Sequence, residues 1–168
     1  MRSVVSLGLM VLGLMLVAPS ASGSSYPADF SVYVESPVWV GPISVVRSVQ
    51  AGGAIVLDIT YVGELARANE PLWLTAVVNY MSGQRVKTFR MEHAGKGTFK
   101  LRLTTGCLAG ESGRCTKFAT DDMRDLLYWA ANYYHLNALD IQFAVSNVRG
   151  EWDSDFGRNY RFSFSPAL

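Results

Sequence analysis

The sequence predicts a mainly β fold: an immunoglobulin-like antiparallel β-sandwich of about eight strands with one α-helix inserted at about 120–136. Three observations carry this. Most of the chain alternates apolar and polar residues with period two, turn residues separate the runs, and a single stretch switches to helical spacing.

The first 23 residues read as an address rather than as structure. Met1-Arg2-Ser3 is a short basic start, Val4–Val17 carries no charge, and Ala18-Pro-Ser-Ala-Ser-Gly23 supplies the small residues of a cleavage site. That order is a secretory signal, with the cut expected after Gly23. Fourteen apolar residues fall short of the ~20 a spanning helix needs. The expected organisation is therefore 1–23 signal peptide and 24–168 one β-sandwich domain. The mature protein is expected to be soluble, secreted or periplasmic, with no later stretch able to span a membrane.

Ser31–Val40 alternates and is interrupted by Pro37, which suits an edge. Ile43–Val49 is β-branched. After the Gly52-Gly53 turn, Ile55, Leu57, Ile59 and Tyr61 share one face; Leu72, Leu74, Ala76, Val78 and Tyr80 do so in the next run. Ser82-Gly83 leads into Val86–Met91, and Ala94–Gly97 reads as a turn before Phe99, Leu101 and Leu103. Thr120-Asp121-Asp122 opens the helix with a capping hydroxyl and two acids at the positive end of the dipole. Met123, Leu126, Leu127, Ala130, Ala131 and Tyr134 form its apolar stripe, expected to pack on the sheet. Period two resumes at Leu139, Ile141, Phe143 and Val145, and again at Tyr160, Phe162 and Phe164.

Charge narrows the function classes. The chain has 15 Lys+Arg and 14 Asp+Glu, and losing Arg2 with the leader balances the two signs. Without a basic surplus, nucleic acid and acidic membranes are not expected partners. The two cysteines, Cys107 and Cys115, enclose a short loop. In an exported chain they are expected to form one disulfide, worth roughly 2.5 kcal/mol in the chain-entropy account. Metal sites need more ligands, and redox sites prefer Cys-x-x-Cys.

No nucleophile elbow, zinc-protease helix or phosphate loop occurs. His93 falls at a strand end or turn and His135 at the end of the helix. Glu151, Asp153 and Asp155 alternate, so in an extended segment they can share a face, as paired carboxylates of glycoside hydrolysis do. A larger scaffold with a cleft is the usual setting for that chemistry, and the expectation is no enzyme. Asp153-Ser-Asp-Phe-Gly157 departs from a helix–loop–helix calcium loop because its Gly stands at the fifth position and helices do not flank it. No metal or other cofactor is expected.

The informative stretch runs from Leu139-Asp-Ile-Gln-Phe-Ala-Val-Ser-Asn147 to Trp152-Asp-Ser-Asp-Phe-Gly-Arg-Asn-Tyr160. It resembles the end of the starch- and glycogen-binding modules of carbohydrate-binding family 21, where a strand like Ile-Glu-Phe-Ala-Ile precedes Trp-Asp-Asn-Asn-x-Gly-x-Asn-Tyr. Trp152, Asp153, Gly157, Asn159 and Tyr160 match; Ser154 and Asp155 stand in place of the two Asn, and Gln142 in place of Glu. It is also similar to the final hairpin of a bacterial family of secreted domains of unknown function. The first family's Phe-Glu-Lys, Val-x-Val-Arg and Asp-x-Trp elements are absent upstream, so the resemblance implies the fold first and a glycan ligand second.

Sugars stack their apolar faces on aromatic rings and offer hydroxyls to amides and carboxylates. The expected ligand-binding set is therefore Trp152, Asp153, Asp155, Asn159 and Tyr160. In the other reading of the same residues, Trp152 and Tyr160 pack into the sandwich while Asp153 and Asn159 pin the hairpin. The expected function is an exported, non-catalytic domain binding a polysaccharide or envelope glycan. The alternative is a structural or protein-interaction domain of the cell envelope, using the Trp129/Tyr133/Tyr134 face of the helix.

Overall fold

The computed structural model describes residues 31–50, 53–80, 83–109, 115–132 and 139–165. The expected leader, His135, Tyr133 and Tyr134 lie outside them. The fold is mainly β, with two large antiparallel sheets and one α-helix.

The first sheet holds β1 (Ser31–Val34), β2 (Val38–Val40), β3 (Ile43–Gln50), β4 (Ile55–Tyr61), β7 (Glu92–Gly95) and β8 (Thr98–Thr104). Its order is β1-β3-β4-β8-β7. Both β1 and β2 pair with β3, β1 at Ser48–Gln50 and β2 at Ile43–Val45. The break between them contains Pro37, whose missing N–H costs an outer strand nothing. The second sheet holds β5 (Leu72–Tyr80), β6 (Gly83–Arg90), β11 (Leu139–Asn147), β12 (Trp152–Asp153) and β13 (Tyr160–Phe164). Here β12 and β13 divide one side of β11, at Val145–Ser146 and Leu139–Phe143, while β5 takes the other. A small ribbon of β9 (Cys107–Ala109) and β10 (Cys115–Phe118) is separate.

Both sheets contribute to one core. Ile43, Leu57, Ile59, Tyr61 and Leu103 come from the first, and Leu72, Leu74, Phe143, Val145 and Phe162 from the second. These are the faces that period two marks. The helix α1 (Asp121–Asn132) is capped as expected: the Met123 amide donates to Thr120 Oγ1 at 3.2 Å. Met123, Leu126, Leu127 and Ala130 enter the core. Lys87 of β6 reaches Asp122 at 2.6 Å and Asp125 at 3.5 Å. The Arg85 guanidinium lies 5.1 Å from the Trp129 ring centre. Both contacts hold the helix against the side of β6 that faces the core.

Thirteen strands occur among the described residues, against about eight expected. The excess is short. Pro37 divides one expected strand in two, while β7, β9, β10 and β12 are two to four residues long, too brief for an alternation to register. The Ala94–Gly97 turn shrinks accordingly, because β7 pairs with β8 up to Gly95. In the ribbon, Cys115 stands opposite Ala109 and Cys107 opposite Phe118. The side chains of both cysteines lie outside the described residues, and with them the expected disulfide.

Candidate functional site at the Trp152–Tyr160 connection

The site starts from a pinned turn. Asn147, buried at the end of β11, accepts the amides of Arg149 and Glu151 on its Oδ1, both at 3.0 Å. Its Nδ2 donates to Glu151 Oε2 at 2.5 Å. The chain turns back through Gly150, whose φ of 77° suits glycine. This forces β12 into a register that places Trp152 opposite Ser146 and Asp153 opposite Val145.

Alternation along the strand then decides the two neighbours. Val145 is fully buried, so Asp153 points inward and Trp152 outward, where it is 59% exposed. The inward carboxylate meets two hydroxyls. Tyr61 donates to Asp153 Oδ2 at 2.5 Å and Tyr160 to Oδ1 at 2.7 Å. The Leu65 amide in turn donates to the Tyr61 oxygen at 3.3 Å. A carboxylate taken from water needs such donors. Burial first, and then the Asp153 carboxylate, push both tyrosines well above the ordinary value of 10. Gly63 leaves the room: a Cβ there would come within 2.3 Å of the Tyr61 hydroxyl and 2.4 Å of Asp153 Oδ2.

Beyond Ser154 the chain makes a tight turn. The Arg158 amide donates to the Asp155 carbonyl at 2.8 Å, with Phe156 and Gly157 at φ 49° and 80°. Two left-handed central residues are the signature of a hairpin turn whose twist matches its strands. Gly157 adopts this freely, whereas an aromatic residue does so at a cost. Phe156 is wholly exposed, so packing does not repay that cost. Asn159 Nδ2 donates to Gln142 Oε1 at 3.4 Å. A depression of about 320 Å³ adjoins Trp152, lined also by Pro42, Gly63 and Leu65.

The five expected ligand residues are therefore close in sequence but divided in space. Trp152 and Asp155 stand at the surface, Asn159 is half-buried against Gln142, and Asp153 and Tyr160 turn inward. Glu151, Asp153 and Asp155 do not share a face, because Glu151 belongs to the turn and Asp153 to the interior. Among the described residues, no group of three side chains of metal-ligating type gathers, and no helix is long and apolar enough to cross a membrane. His93 Nε2 pairs with Asn69 Oδ1 at 3.1 Å at the exposed start of β7.

Comparison with protein-family profiles, curated proteins and solved structures finds no match. Chemistry at the site thus rests on its own geometry. Sequence reading passes over Asn147 and Tyr61, on which that geometry depends. Asn147-Val-Arg-Gly150 is a local signal for a side-chain-pinned turn. Tyr61 has no local signal at all, since its partner lies 92 residues away.

Proposed function

We propose that this protein is an exported, non-catalytic domain of immunoglobulin-like sandwich type that binds a polysaccharide or envelope glycan. Trp152 carries the binding by stacking on a sugar ring. One observation supports this above the others: a large aromatic stands open to solvent on a hairpin that two tyrosine–carboxylate hydrogen bonds and a pinned turn hold rigid. Pre-organised aromatic surface binds with little loss of conformational freedom. In this reading the roles divide. Trp152 and Asp155 contact ligand, and Asp153 and Tyr160 hold the platform from beneath.

A glycan array or polysaccharide pull-down with the mature chain tests this. Trp152→Ala is expected to abolish retention while leaving the melting transition in place. Retention that survives Trp152→Ala, or a wild type that folds yet retains no glycan, rules the reading out. Export follows from the leader, and N-terminal sequencing of the exported protein should find a start near Ser24. Cys107 and Cys115 form its disulfide in this reading, so thiol labelling of unfolded, unreduced protein should find no free thiol.

A protein-interaction role has one feature in its favour, since among the described residues no strand lies outside β6. That strand carries Arg85, Lys87 and Arg90, the kind of residues that discourage strand addition. The Trp129 ring packs against the core rather than standing clear as a docking anchor.

A further inference from the structure

The ladder registers of the second sheet place residues that the sequence separates into one line across it. Trp73 on β5 stands opposite Ser146 on β11, and Ser146 stands opposite Trp152 on β12. Directly opposed residues of antiparallel strands share a face. Leu72, Leu74 and Val145 are in the core, so this shared face is the outer one. Two tryptophans therefore flank a serine in a single row. They are two strand spacings apart, or about 10 Å.

The next row toward the middle of the sheet is made of small side chains. Thr75 stands opposite Ala144 on one side and Thr88 on the other. Thr75 and Ala144 are buried although they face outward, as is Val77, the next outward residue of β5. One side is the tryptophan row, and the other runs Val86, Val77, Gln142 and Arg161 from β6 to β13. The result is a shallow trough running across the strands, with the tryptophan row along one side and, on the other, two valines, the Gln142 amide and an Arg161 guanidinium paired with Asp140. Its floor is fixed by the sheet itself and by the Thr75–Thr88 hydroxyl pair at 3.1 Å.

We propose that this trough is the binding surface and that it takes an extended, β-1,4-linked pyranose chain. This rests on the sugar-binding reading of Trp152 and names its ligand class. In such a chain every second ring recurs in the same orientation at a repeat close to the Trp73–Trp152 spacing. One ring stacks on each tryptophan while the ring between them passes over Ser146. The small residues beside that row leave room for the edge of a flat chain, toward which Gln142 faces from the far side. A coiled α-1,4-linked chain curves away from a face of this kind and cannot keep both stacking contacts. Trp73 is thus a specificity-determining residue, selecting ligand length and linkage rather than binding as such.

The test is calorimetric titration of the mature chain with disaccharides and tetrasaccharides of three kinds: cello-, chito- and malto-oligomers. In the wild type, a β-1,4 tetrasaccharide is expected to bind on the order of tenfold more tightly than its disaccharide, equivalent to about 1.4 kcal/mol. The cello- and chito- arms tell which ring substituents the trough accepts. Trp73→Ala should erase the length advantage while keeping disaccharide binding at Trp152. Ser146→Arg, which fills the space between the two tryptophans while leaving both in place, should do the same and serves where Trp73→Ala does not fold. If tetrasaccharide binding is unchanged in both variants yet lost in Trp152→Ala, the trough is wrong and a single-ring site at Trp152 remains. Tighter binding of maltotetraose than of either β-1,4 tetramer overturns the linkage. A folded wild type that binds none of the six sugars removes the sugar-binding reading itself.

Discussion

Asp153 accepts the hydroxyl of Tyr61 across the interior, so a two-residue strand of one sheet is tied to the last residue of β4 in the other. Tyr160 donates to the remaining oxygen of the same carboxylate. The aromatic ring outside and the carboxylate clamp inside belong to consecutive residues, so fixing Asp153 fixes the backbone of Trp152.

Removing the clamp should therefore loosen the platform. Asp153→Ala strands two hydroxyls, that of Tyr61 on a fully buried side chain. Each orphaned donor costs about 1–3 kcal/mol. Asp153→Asn keeps an acceptor oxygen and should lose less. Urea unfolding of the two variants gives the ranking, and equal losses would contradict the clamp.

Alkali should act on the same cluster. Both tyrosines have folded values raised above the ordinary one, so between about pH 10 and those raised values the native state holds protons that the unfolded chain has released. Their contribution is whole below pH 10 and is lost as the pH climbs beyond it, at up to about 1.4 kcal/mol per pH unit for each tyrosine. Tyr160→Phe should flatten that decline. Stability measured from pH 8 to 11 in wild type and variant decides it, and parallel curves would speak against the assignment.

Gly63 should resist even the smallest side chain. Its φ of −77° is ordinary, so Gly63→Ala meets no backbone strain, only the Tyr61 hydroxyl and the Asp153 carboxylate. Overpacking of this sort costs about 1–3 kcal/mol. The loss should shrink in an Asp153→Ala background, where half the obstruction is gone, and a double-mutant cycle measures that coupling.

A second inter-sheet tie lies at Arg47. Its side chain is 2% exposed, pairs with Glu35, and donates to the Ser165 carbonyl at 2.6 Å beneath the Phe164 ring. Glu35→Ala removes the opposing charge, and broken buried pairs cost about 3–5 kcal/mol. Because Glu35 keeps some contact with water, the lower end is expected. Adding Arg47→Met should recover much of the loss, since it removes the charge left behind. Thermal melts of the single and double variants test the ordering.

Local chemistry made much of this architecture legible in the sequence. Period two assigned the inward faces of β4, β5, β11 and β13 because the pleat alternates wherever it is paired, and each strand ran long enough to show it. Thr120 announced the helix because a cap needs only the next three residues.

Tertiary structure decided what those faces do. Nothing local says that Trp152 points out and Asp153 in, since a two-residue strand has no alternation of its own and takes its sense from Val145 and Ser146. Tyr61 and Arg47 find partners 92 and 118 residues away, at distances in sequence where side-chain pattern carries no information. The alignment of Trp73 with Trp152 likewise exists only once β5, β11 and β12 are in register. A one-residue slip would send one of them into the core. Local pattern says which residues are apolar and which turn the chain; register says which of them meet.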